Sequence, residues 1–240
     1  MKIGIFGKGR LGSSIAECAG MDLAWCLGRN ELPPCDVDVA IDASSSAAVS
    51  EHLDWCTKHG VDFLIGTTGW DIPDLAQRVG QKIAVLTAPN FSLTVALYAR
   101  LSLILARFAA GDESRDPYLV EHHHARKHDA PSGTAKLLAT TLMKGCPRKT
   151  EWVTPSASQD VKPHQLNVSS IRAGHTYSTH IVGLDAPGEV LELHHSARSA
   201  MPYAEGALQA ARWIRGRKGV FTMAEVAKEL LDPLFLEVNP

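Results

Sequence analysis

One segment of this chain is unusually rich in histidine and in basic residues. Within seven residues it carries four of the chain's eleven histidines, together with an arginine and a lysine: His122, His123, His124, Arg126, Lys127 and His128. Since the whole chain has a formal net charge of only −2, this positive patch would attract a small anion. Histidine is also the side chain that most readily donates a proton near neutral pH. The segment therefore predicts acid–base chemistry on an anionic small molecule.

A predicted helix begins directly after this segment. Ser132, Gly133 and Thr134 follow Pro131 and open a helical pattern that runs to about Lys144. The first N–H groups of a helix have no partner within the helix, and they carry partial positive charge. These amides and the Thr134 hydroxyl are therefore predicted to hold a carboxylate group of the anion.

Other interpretations of these histidines are available. His124 and His128 have the i, i+4 spacing of a metal site on a helix, but Pro131 and the helix start at Ser132 predict a loop over 122–131. We therefore predict no metal site. A solvated histidine-rich loop without function is the plainer alternative. A second pair, His194 and His195, ends a predicted strand, and there a structural role is favoured over catalysis.

A glycine-rich loop near the start of the chain matches G-x-G-x-x-G. It follows a predicted strand and opens a predicted helix, and it comprises Gly7, Lys8, Gly9, Arg10, Leu11 and Gly12. In that position the backbone amides and the helix dipole suit the pyrophosphate of a dinucleotide. A tight turn without a ligand is the alternative. The context favours a cofactor-binding loop.

The residues after the second strand bear on the type of cofactor. NAD-binding folds usually carry an acidic residue there for the ribose hydroxyls, but here Gly28, Arg29 and Asn30 come before the first carboxylate, Glu31. Arg29 is placed to meet a 2′-phosphate, which favours NADPH; a solvated arginine is the alternative. Two further loops follow predicted strands and suit the nicotinamide and its ribose, although each could be a simple turn. They contain Gly66, Thr67 and Thr68, and Ala88, Pro89, Asn90 and Phe91.

The elements that must position these loops alternate along the first ninety residues. Short apolar runs are predicted as strands, and the stretches between them have a helical pattern. Such alternation is typical of a parallel sheet covered on both faces. The predicted strands are Lys2–Phe6, Leu23–Leu27, Val37–Ile41, Val61–Ile65 and Ile83–Thr87, and the predicted helices are Arg10–Ala19, Ala47–His59 and Ile72–Val79.

The second half of the chain has a different pattern. Its predicted strands cluster around the helix from Gly133, which is typical of a smaller α+β domain with a mixed sheet. Residues 146–165 are predicted as a loop. Two helices are predicted in the tail; Thr222 and Glu225 form a capping box for the second, and Pro233 ends it. The predicted strands are Tyr118–Glu121, Leu166–Arg172, Thr176–Val182 and Glu189–His195.

Composition is typical of a globular protein in a reducing compartment. Hydrophobic residues make up 45% of the 240, and the five cysteines include no C-x-x-C pair, so neither a disulfide framework nor a structural zinc site is predicted. Glycines interrupt the N-terminal segment where a signal peptide would be apolar. The apolar run Val95–Ala110 contains Arg100 and Arg107 and is predicted as a core helix. We expect a cytoplasmic protein that binds neither nucleic acid nor membrane.

These motifs together resemble one enzyme family. Residues Glu121 to Thr134 match E-x-H-H-x-x-K-x-D-A-P-S-G-T, the signature of the 4-hydroxy-tetrahydrodipicolinate reductase (dihydrodipicolinate reductase) family, at each defined position. The glycine loop, GTTG at 66–69, PNFS at 89–92 and the closing YAEGALQAARW are also similar to the family's pattern. The resemblance covers most of the chain.

The resemblance implies a fold and an activity. It implies a dinucleotide-binding domain over 1–95, a substrate-binding and oligomerisation domain over 96–200, and C-terminal helices over 201–240 that return to the first domain. The expected protein is a homotetramer that transfers hydride from NADH or NADPH to a cyclic dicarboxylate in the diaminopimelate route to lysine. By position, His123 would be the acid/base residue and Lys127 the proton donor. The resemblance places His124 against the substrate, with Gly133 and Thr134 on a carboxylate.

The chain departs from the family's pattern in places that bear on cofactor preference, hinge geometry and turnover. The departures are a glycine loop shorter by one residue, no carboxylate directly after the second strand, Thr94 in place of glycine, Ser178 and Thr179 in place of Gly-Glu, and Ala200 in place of arginine. Two other functions stand as alternatives to the family's activity. One is a reductase for another small dicarboxylate or imino acid, and the other is a cofactor-binding sensor or partner protein that has lost chemistry.

Overall fold

The chain folds into two compact units. The computed structural model describes residues 1–156 and 160–236. Unit 1 comprises Met1–Thr94 with Ala200–Pro240, and unit 2 comprises Val95–Ser199. Each unit has its own sheet.

The described residues form the following helices and strands in chain order. The strands are β1 (Ile3–Phe6), β2 (Leu23–Leu27), β3 (Val39–Asp42), β4 (Asp62–Ile65), β5 (Ala84–Thr87), β6 (Asp116–His123), β7 (Glu151–Val153), β8 (Gln165–Arg172), β9 (Ser178–Ala186), β10 (Glu189–Ala197) and β11 (Gly219–Thr222). The helices are α1 (Arg10–Ala19), α2 (Val49–His59), α3 (Leu75–Val79), α4 (Leu93–Ala110), α5 (Gly133–Gly145), α6 (Met201–Ile214), α7 (Met223–Leu231) and α8 (Pro233–Leu236).

The sheet of unit 1 is parallel and covered on both faces. Its strand order is β11-β5-β4-β3-β1-β2, and each neighbouring pair runs parallel. Because side chains alternate across a strand, Leu64 of β4 packs with helices α1 and α6, whereas Phe63 and Ile65 pack with α2 and α3. The predicted α/β class and its parallel sheet are confirmed.

The C-terminal segment of the chain contributes a strand as well as helices to unit 1. Strand β11 pairs with β5 at the edge of the sheet, which the sequence analysis did not predict. The capping box of α7 is present, with the Thr222 backbone N–H donating to Glu225 at 2.8 Å. Helix α7 ends at Leu231 as expected, but Pro233 then begins the short helix α8, because proline is well accommodated in a first turn.

The sheet of unit 2 is mixed. Its order is β10-β9-β6-β8-β7; β6 runs parallel to β8 and antiparallel to β9. Leu119 of β6 packs with Leu138 and Leu142 of α5 in a buried core. Tyr98 of α4 is in the same core, and its hydroxyl accepts the Val182 N–H at 2.9 Å. The predicted second, mixed-sheet unit is confirmed.

Two predictions in unit 2 were wrong at the level of single elements. Strand β6 runs on to His123, so the predicted loop over 122–131 begins two residues too early. The predicted loop over 146–165 contains strand β7, which adds to the edge of the sheet through Trp152 and its neighbours. The part of that loop at 157–159 lies outside the described residues.

Helix α4 is long and apolar. By length and composition alone, Leu93–Ala110 is the helix among residues 1–156 and 160–236 that could cross a membrane, with a mean hydropathy of 1.5. Tyr98, Leu105 and Ala106 on this helix are buried in the core of unit 2. Only 33% of the helix is buried, and this face packs as the core helix expected from the sequence. Leu101, Ile104 and Phe108 are 37–50% exposed, so the expected burial of the rest of the helix holds only in part.

Helix α5 offers a matched test of the core of unit 2. Leu138 is fully buried, whereas its neighbour Leu137 is 49% exposed. We expect Leu138→Ala to lower the free energy of unfolding by about 2–5 kcal/mol because it leaves a cavity. We expect Leu137→Ala to lower it by less than about 1 kcal/mol, since little apolar surface is lost. Urea unfolding followed by circular dichroism would measure both, and equal losses would contradict this packing.

Candidate active site

The glycine loop of unit 1 has the geometry of a phosphate cradle. Gly7 has φ +114°, and a Cβ on it would overlap the Ala43 carbonyl, so only glycine fits this turn. A Cβ on Gly12 would overlap the Gly7 carbonyl, which brings helix α1 close to β1. Gly9 precedes α1 and has open space beside it. These are the three positions that a dinucleotide pyrophosphate requires, so the loop fits NAD(P)H.

A cleft of about 340 Å³ lies beside this loop, which is within the size range of small-molecule sites. Its walls come from the segments that follow β1, β2 and β3, and from α2. The lining includes Gly7, Lys8, Gly9, Gly28, Arg29, Glu31, Ser44 and His52. The cleft is therefore lined by the first three residues of the glycine loop, Gly7 to Gly9, and by Arg29. That these residues bind the cofactor stays a prediction.

The cleft also contains a carboxylate that the sequence analysis did not place there. Glu31 bends back so that its side chain accepts the Gly28 N–H at 2.9 Å and the Lys8 ammonium at 2.8 Å. The hydrogen bond from Lys8, followed by that from Gly28, lowers the pKa of Glu31. No acidic residue directly follows β2 in the sequence, but the chain turns at Asn30 (φ +63°) and places the Glu31 carboxylate beside the end of that strand.

A buried aspartate connects three loops of unit 1. Asp42 ends β3 with no exposed surface, and it accepts hydrogen bonds from the Ser44 hydroxyl at 2.9 Å and from the Thr67 hydroxyl. His52 lies 2.5 Å from the same carboxylate, and its ring stacks on Phe6. The loop after β4 is therefore held against the loop after β3. Gly66, Thr67 and Thr68 line a second cleft there together with Leu11, Ala43, Ser44, Ser45 and Ser46.

The loop after β5 is more buried than the loops that line the two clefts. Ala88 and Phe91 are 3% and 2% exposed, and the Phe91 ring packs against Gly66. Pro89 is exposed, and the Asn90 side chain accepts the Ser92 N–H at 2.9 Å. The side chains of Ala88 and Phe91 are thus part of the core of unit 1. A role for this loop at the nicotinamide stays a prediction.

Strand register in unit 2 assembles a polar cluster. Glu121 and His123 of β6 are two residues apart and point to the same, inner face of the sheet. Opposite Glu121 lie His180 of β9 and Ser170 of β8; opposite His123 lies Arg172 of β8. Glu121, His123 and His180 are at most 6% exposed. The fold thus buries one carboxylate among two imidazoles and one guanidinium.

The two oxygens of Glu121 have different surroundings. Oε1 accepts the Ser132 N–H at 2.9 Å, the Ser170 hydroxyl at 2.7 Å and the Arg172 guanidinium at 2.7 Å. Oε2 lies 3.3 Å from His123 Nδ1 and 3.7 Å from His180 Nε2. Burial by itself raises the pKa of Glu121, but the facing His123 and His180 rings, together with hydrogen bonds from Ser132 and Arg172, outweigh it and hold the pKa well below its usual range. The carboxylate is therefore ionised at neutral pH.

The partners of Glu121 were not found from the sequence. His180 is 1% exposed, and burial lowers its pKa although Glu121 opposes this, so His180 is neutral at pH 7. Ser170 and Arg172 lie 49 and 51 residues beyond Glu121 in the chain. Alternation within a strand would have indicated which of these side chains face inward. It gives no information on which strands pair or in which register.

The turn after β6 positions Lys127. The Lys127 N–H donates to the His124 carbonyl at 3.1 Å, and its ammonium lies 2.7 Å from the Asp129 carboxylate. Partial burial raises the pKa of Asp129, but the hydrogen bond from Lys127 outweighs this and lowers it. Arg172 donates to the Asp129 carbonyl as well as to Glu121. The cationic turn is therefore attached to the strand that carries His123.

The three residues predicted to contact a substrate carboxylate, Ser132, Gly133 and Thr134, have different surroundings at the N-terminus of α5. Ser132 is 3% exposed; its hydroxyl accepts the Ala135 N–H at 3.2 Å and its own N–H donates to Glu121. Its polar groups are thus used within the protein. Gly133 is exposed and Thr134 is half-buried at the first positions of the helix, where N–H groups have no partner within the helix. These two residues remain the candidate anion donors.

The same cluster has the donor atoms of a metal site. Ligand atoms of Glu121, His123 and His180 lie within 4.8 Å of one another, and two imidazoles with one carboxylate form a known set for Zn²⁺. Arg172 already places a positive charge on this carboxylate, which opposes a second cation. That no metal is held here stays a prediction.

The second histidine pair lies on β10. His194 is exposed and lies 2.9 Å from Glu192. His195 is opposite His180 in the β9–β10 register, and its ring is 5.6 Å from that of Tyr98. Burial lowers the pKa of His195. These contacts fit the structural role that the sequence analysis favoured for the pair.

Comparison with family models covers both halves of the chain. Residues 94–227 match the model described as dihydrodipicolinate reductase, C-terminus, and residues 27–91 match dihydrodipicolinate reductase, N-terminus. The N-terminal match begins after the glycine loop. The assignment of residues 7–12 therefore rests on the geometry given above.

Individual relatives cover nearly the whole chain. The 4-hydroxy-tetrahydrodipicolinate reductase of Christiangramia forsetii is 31% identical over 240 residues, which is 96% of this chain and 99% of that protein. The enzyme of the same name from Gluconobacter oxydans is 34% identical over 243 residues, with 95% and 97% covered. A solved dipicolinate-bound dihydrodipicolinate reductase from a Paenisporosarcina species has the same fold (TM-score 0.73, 19% identity, 92% and 97% covered).

Proposed function

Because this chain belongs to the dihydrodipicolinate reductase family, we propose that it reduces 4-hydroxy-tetrahydrodipicolinate to tetrahydrodipicolinate with NADH or NADPH, in the diaminopimelate route to lysine. One observation in the fold carries this proposal. A buried, ionised carboxylate contacts His123 on a strand that leads directly into the Lys127 turn and the N-terminus of α5. That segment combines an acid, a cation and helix-terminal amides for an anionic substrate.

In this proposal, the two units bind different molecules. Unit 1 binds the dinucleotide through its glycine loop, Arg29 and the loops at 66–68 and 88–91. Unit 2 binds the substrate. Two features support the assignment of the dinucleotide to unit 1. The open space beside Gly9 leaves room for a pyrophosphate, and the carboxylate of Glu31 can accept a ribose hydroxyl. When bound, the nicotinamide supplies the hydride.

The residues of unit 2 have separate roles in the proposal. The N–H groups of Gly133 and Thr134 bind one substrate carboxylate, and Ser132 holds the helix start in place. The overall reaction takes up one hydride and one proton and releases the 4-hydroxyl group of the substrate as water. The Lys127 ammonium attracts the dianion and donates a proton, while His123 donates and accepts a proton at the reacting centre. His124, in the same turn, contacts the substrate. The dipicolinate in the solved relative is a dicarboxylate of the kind this site would take.

A coupled assay tests this function. The aldol synthase that precedes the reductase would generate the cyclic substrate, and the fall in absorbance would follow the consumption of NADH or NADPH. We expect consumption that depends on the cyclic substrate, and none with open-chain keto acids. Consumption with open-chain acids alone would instead favour a reductase for another substrate, and cofactor binding without consumption would favour a sensor.

Arg29 separates the two cofactors. We expect Arg29→Ala to raise the KM for NADPH about tenfold, the usual effect of losing one charged hydrogen bond, and to change the KM for NADH less than about twofold. Initial rates with each cofactor at saturating substrate would measure both constants. Equal changes for the two cofactors would contradict a phosphate contact.

Glu31 supplies the matched control for Arg29. Its carboxylate lies in the same cleft, where it would accept a ribose hydroxyl of NADH and repel a 2′-phosphate. Glu31→Gln is therefore expected to change the KM ratio of the two cofactors in the opposite direction from Arg29→Ala.

A homotetramer in the cytoplasm completes the proposal. The outer face of the mixed sheet supports assembly, because it presents partly exposed apolar side chains on three strands, among them Val120, Ile181 and Val190. Light scattering after size-exclusion chromatography would give the mass of the assembly.

A further inference from the structure

One carboxylate oxygen in the cluster of unit 2 is left with two possible hydrogen-bond donors. Oε1 of Glu121 is saturated by Ser132, Ser170 and Arg172. Oε2 is buried and makes no hydrogen bond of ordinary geometry; the ring nitrogens near it are His123 Nδ1 at 3.3 Å and His180 Nε2 at 3.7 Å. A buried charged oxygen without a donor is costly, so we expect one of these nitrogens to supply a proton to it.

His123 is the better placed of the two. It is the nearer ring, and its Nδ1 is itself buried without an ordinary hydrogen-bond partner, so a small rotation of the ring that turns a proton on Nδ1 toward Oε2 would satisfy both atoms. His180 has a second partner, because its Nε2 also lies 3.3 Å from the Ser132 hydroxyl. A neutral imidazole carries one proton, and a proton on Nδ1 leaves the lone pair on Nε2. Nε2 then is the atom through which His123 exchanges protons.

We propose that Glu121 is a positioning residue that holds neutral His123 in the Nδ1–H tautomer and thereby makes Nε2 the nitrogen that exchanges protons with the substrate. The inference rests on the acid/base role proposed for His123. Arg172, Ser170 and the Ser132 N–H keep Oε1 in place, so that Oε2 faces the ring.

Replacement of Glu121 by glutamine tests this inference with little change of shape. The three donors around Oε1 require an oxygen, so the amide NH₂ of glutamine must take the place of Oε2. That NH₂ donates toward His123 Nδ1 and requires a lone pair there, which imposes the Nε2–H tautomer. We expect Glu121→Gln to lower kcat about tenfold or more while KM changes less than about threefold.

The tautomer is read directly by NMR. Long-range ¹H–¹⁵N correlation spectra of histidine-labelled protein, without substrate and at a pH of about 8.5, distinguish the two neutral forms. The resonances of His123 are assigned by their loss in His123→Gln. We expect Nδ1–H in the unsubstituted protein and Nε2–H in Glu121→Gln.

A second carboxylate–histidine pair provides the control. Asp36 lies 2.7 Å from His59 Nδ1 on the surface of unit 1, so Asp36→Asn makes the same chemical change in the unit that lacks His123. We expect it to leave kcat and the His123 tautomer unchanged.

Three results would overturn the inference. The first is an Nε2–H tautomer in the unsubstituted protein, which needs no variant to fold. The second is a Glu121→Gln protein with reduced kcat but an unchanged tautomer, and the third is one with normal kcat. Absence of any turnover in the unsubstituted protein would contradict the proposed function instead, and the substrate-free spectra would still decide the role of Glu121.

Discussion

Replacing His123 by glutamine is expected to lower kcat about 100-fold or more, the usual contribution of a positioned general acid. His123 is 6% exposed at the end of β6, and its Nδ1 lies 3.3 Å from the ionised Glu121. Glutamine can still hydrogen-bond in that place, but it cannot take up and release a proton. KM should therefore change less than kcat, and steady-state rates over a range of substrate concentrations would separate the two constants.

His122 is the matched control for this prediction. It is the neighbouring histidine on the same strand, but it points to the opposite face of the sheet, where its Nε2 lies 3.1 Å from the Ala173 carbonyl. His122→Gln should leave kcat within about twofold of the unsubstituted protein. Similar losses in the two variants, or near-normal turnover in His123→Gln, would remove His123 from the reaction.

Replacing Lys127 by alanine is expected to be at least as damaging to kcat/KM. The ammonium is held 2.7 Å from Asp129 in the turn that follows β6, so it is positioned and partly shielded from water. Its removal takes away a proton donor and also a positive charge that attracts the dianionic substrate. We therefore expect kcat to fall and KM to rise, which distinguishes Lys127 from His123.

Lys144 controls for the loss of a positive charge alone. It is exposed in the last turn of α5, whereas Lys127 lies in the turn before that helix. Lys144→Ala should leave both constants near those of the unsubstituted protein at physiological ionic strength, since exposed charges are screened over about 8 Å. Unaltered kinetics in Lys127→Ala would exclude this lysine from the site.

Local patterns predicted most of the elements of this fold. Apolar runs of four or five residues indicated the strands of the parallel sheet, because strands buried on both faces need no polar positions. The capping box at Thr222 and the glycine after His59 marked helix ends, because they satisfy backbone groups within a few residues. Short edge strands such as β7 and β11 were missed, since their pairing depends on a partner distant in the chain.

Local patterns also predicted the part of the candidate site whose residues are close together in the sequence. His123, Lys127 and the start of α5 are within twelve residues of one another, and their chemistry can be recognised from residue types in order. Glu31 shows the limit: its carboxylate reaches the end of β2 only because the chain turns at Asn30. The spacing of these residues along the sequence does not predict how close the Glu31 carboxylate comes to Gly28.

The sequence by itself determined which groups are present: a glycine loop after a strand, a cationic histidine segment and a helix start with free amides. Only the tertiary structure decided the surroundings of His123. Glu121 meets His180, Ser170 and Arg172 because β6 lies between β8 and β9 in one particular register. A slip of one residue would turn these side chains to the other face. Register is set by packing against the core of unit 2, whose contacts join residues far apart in the chain.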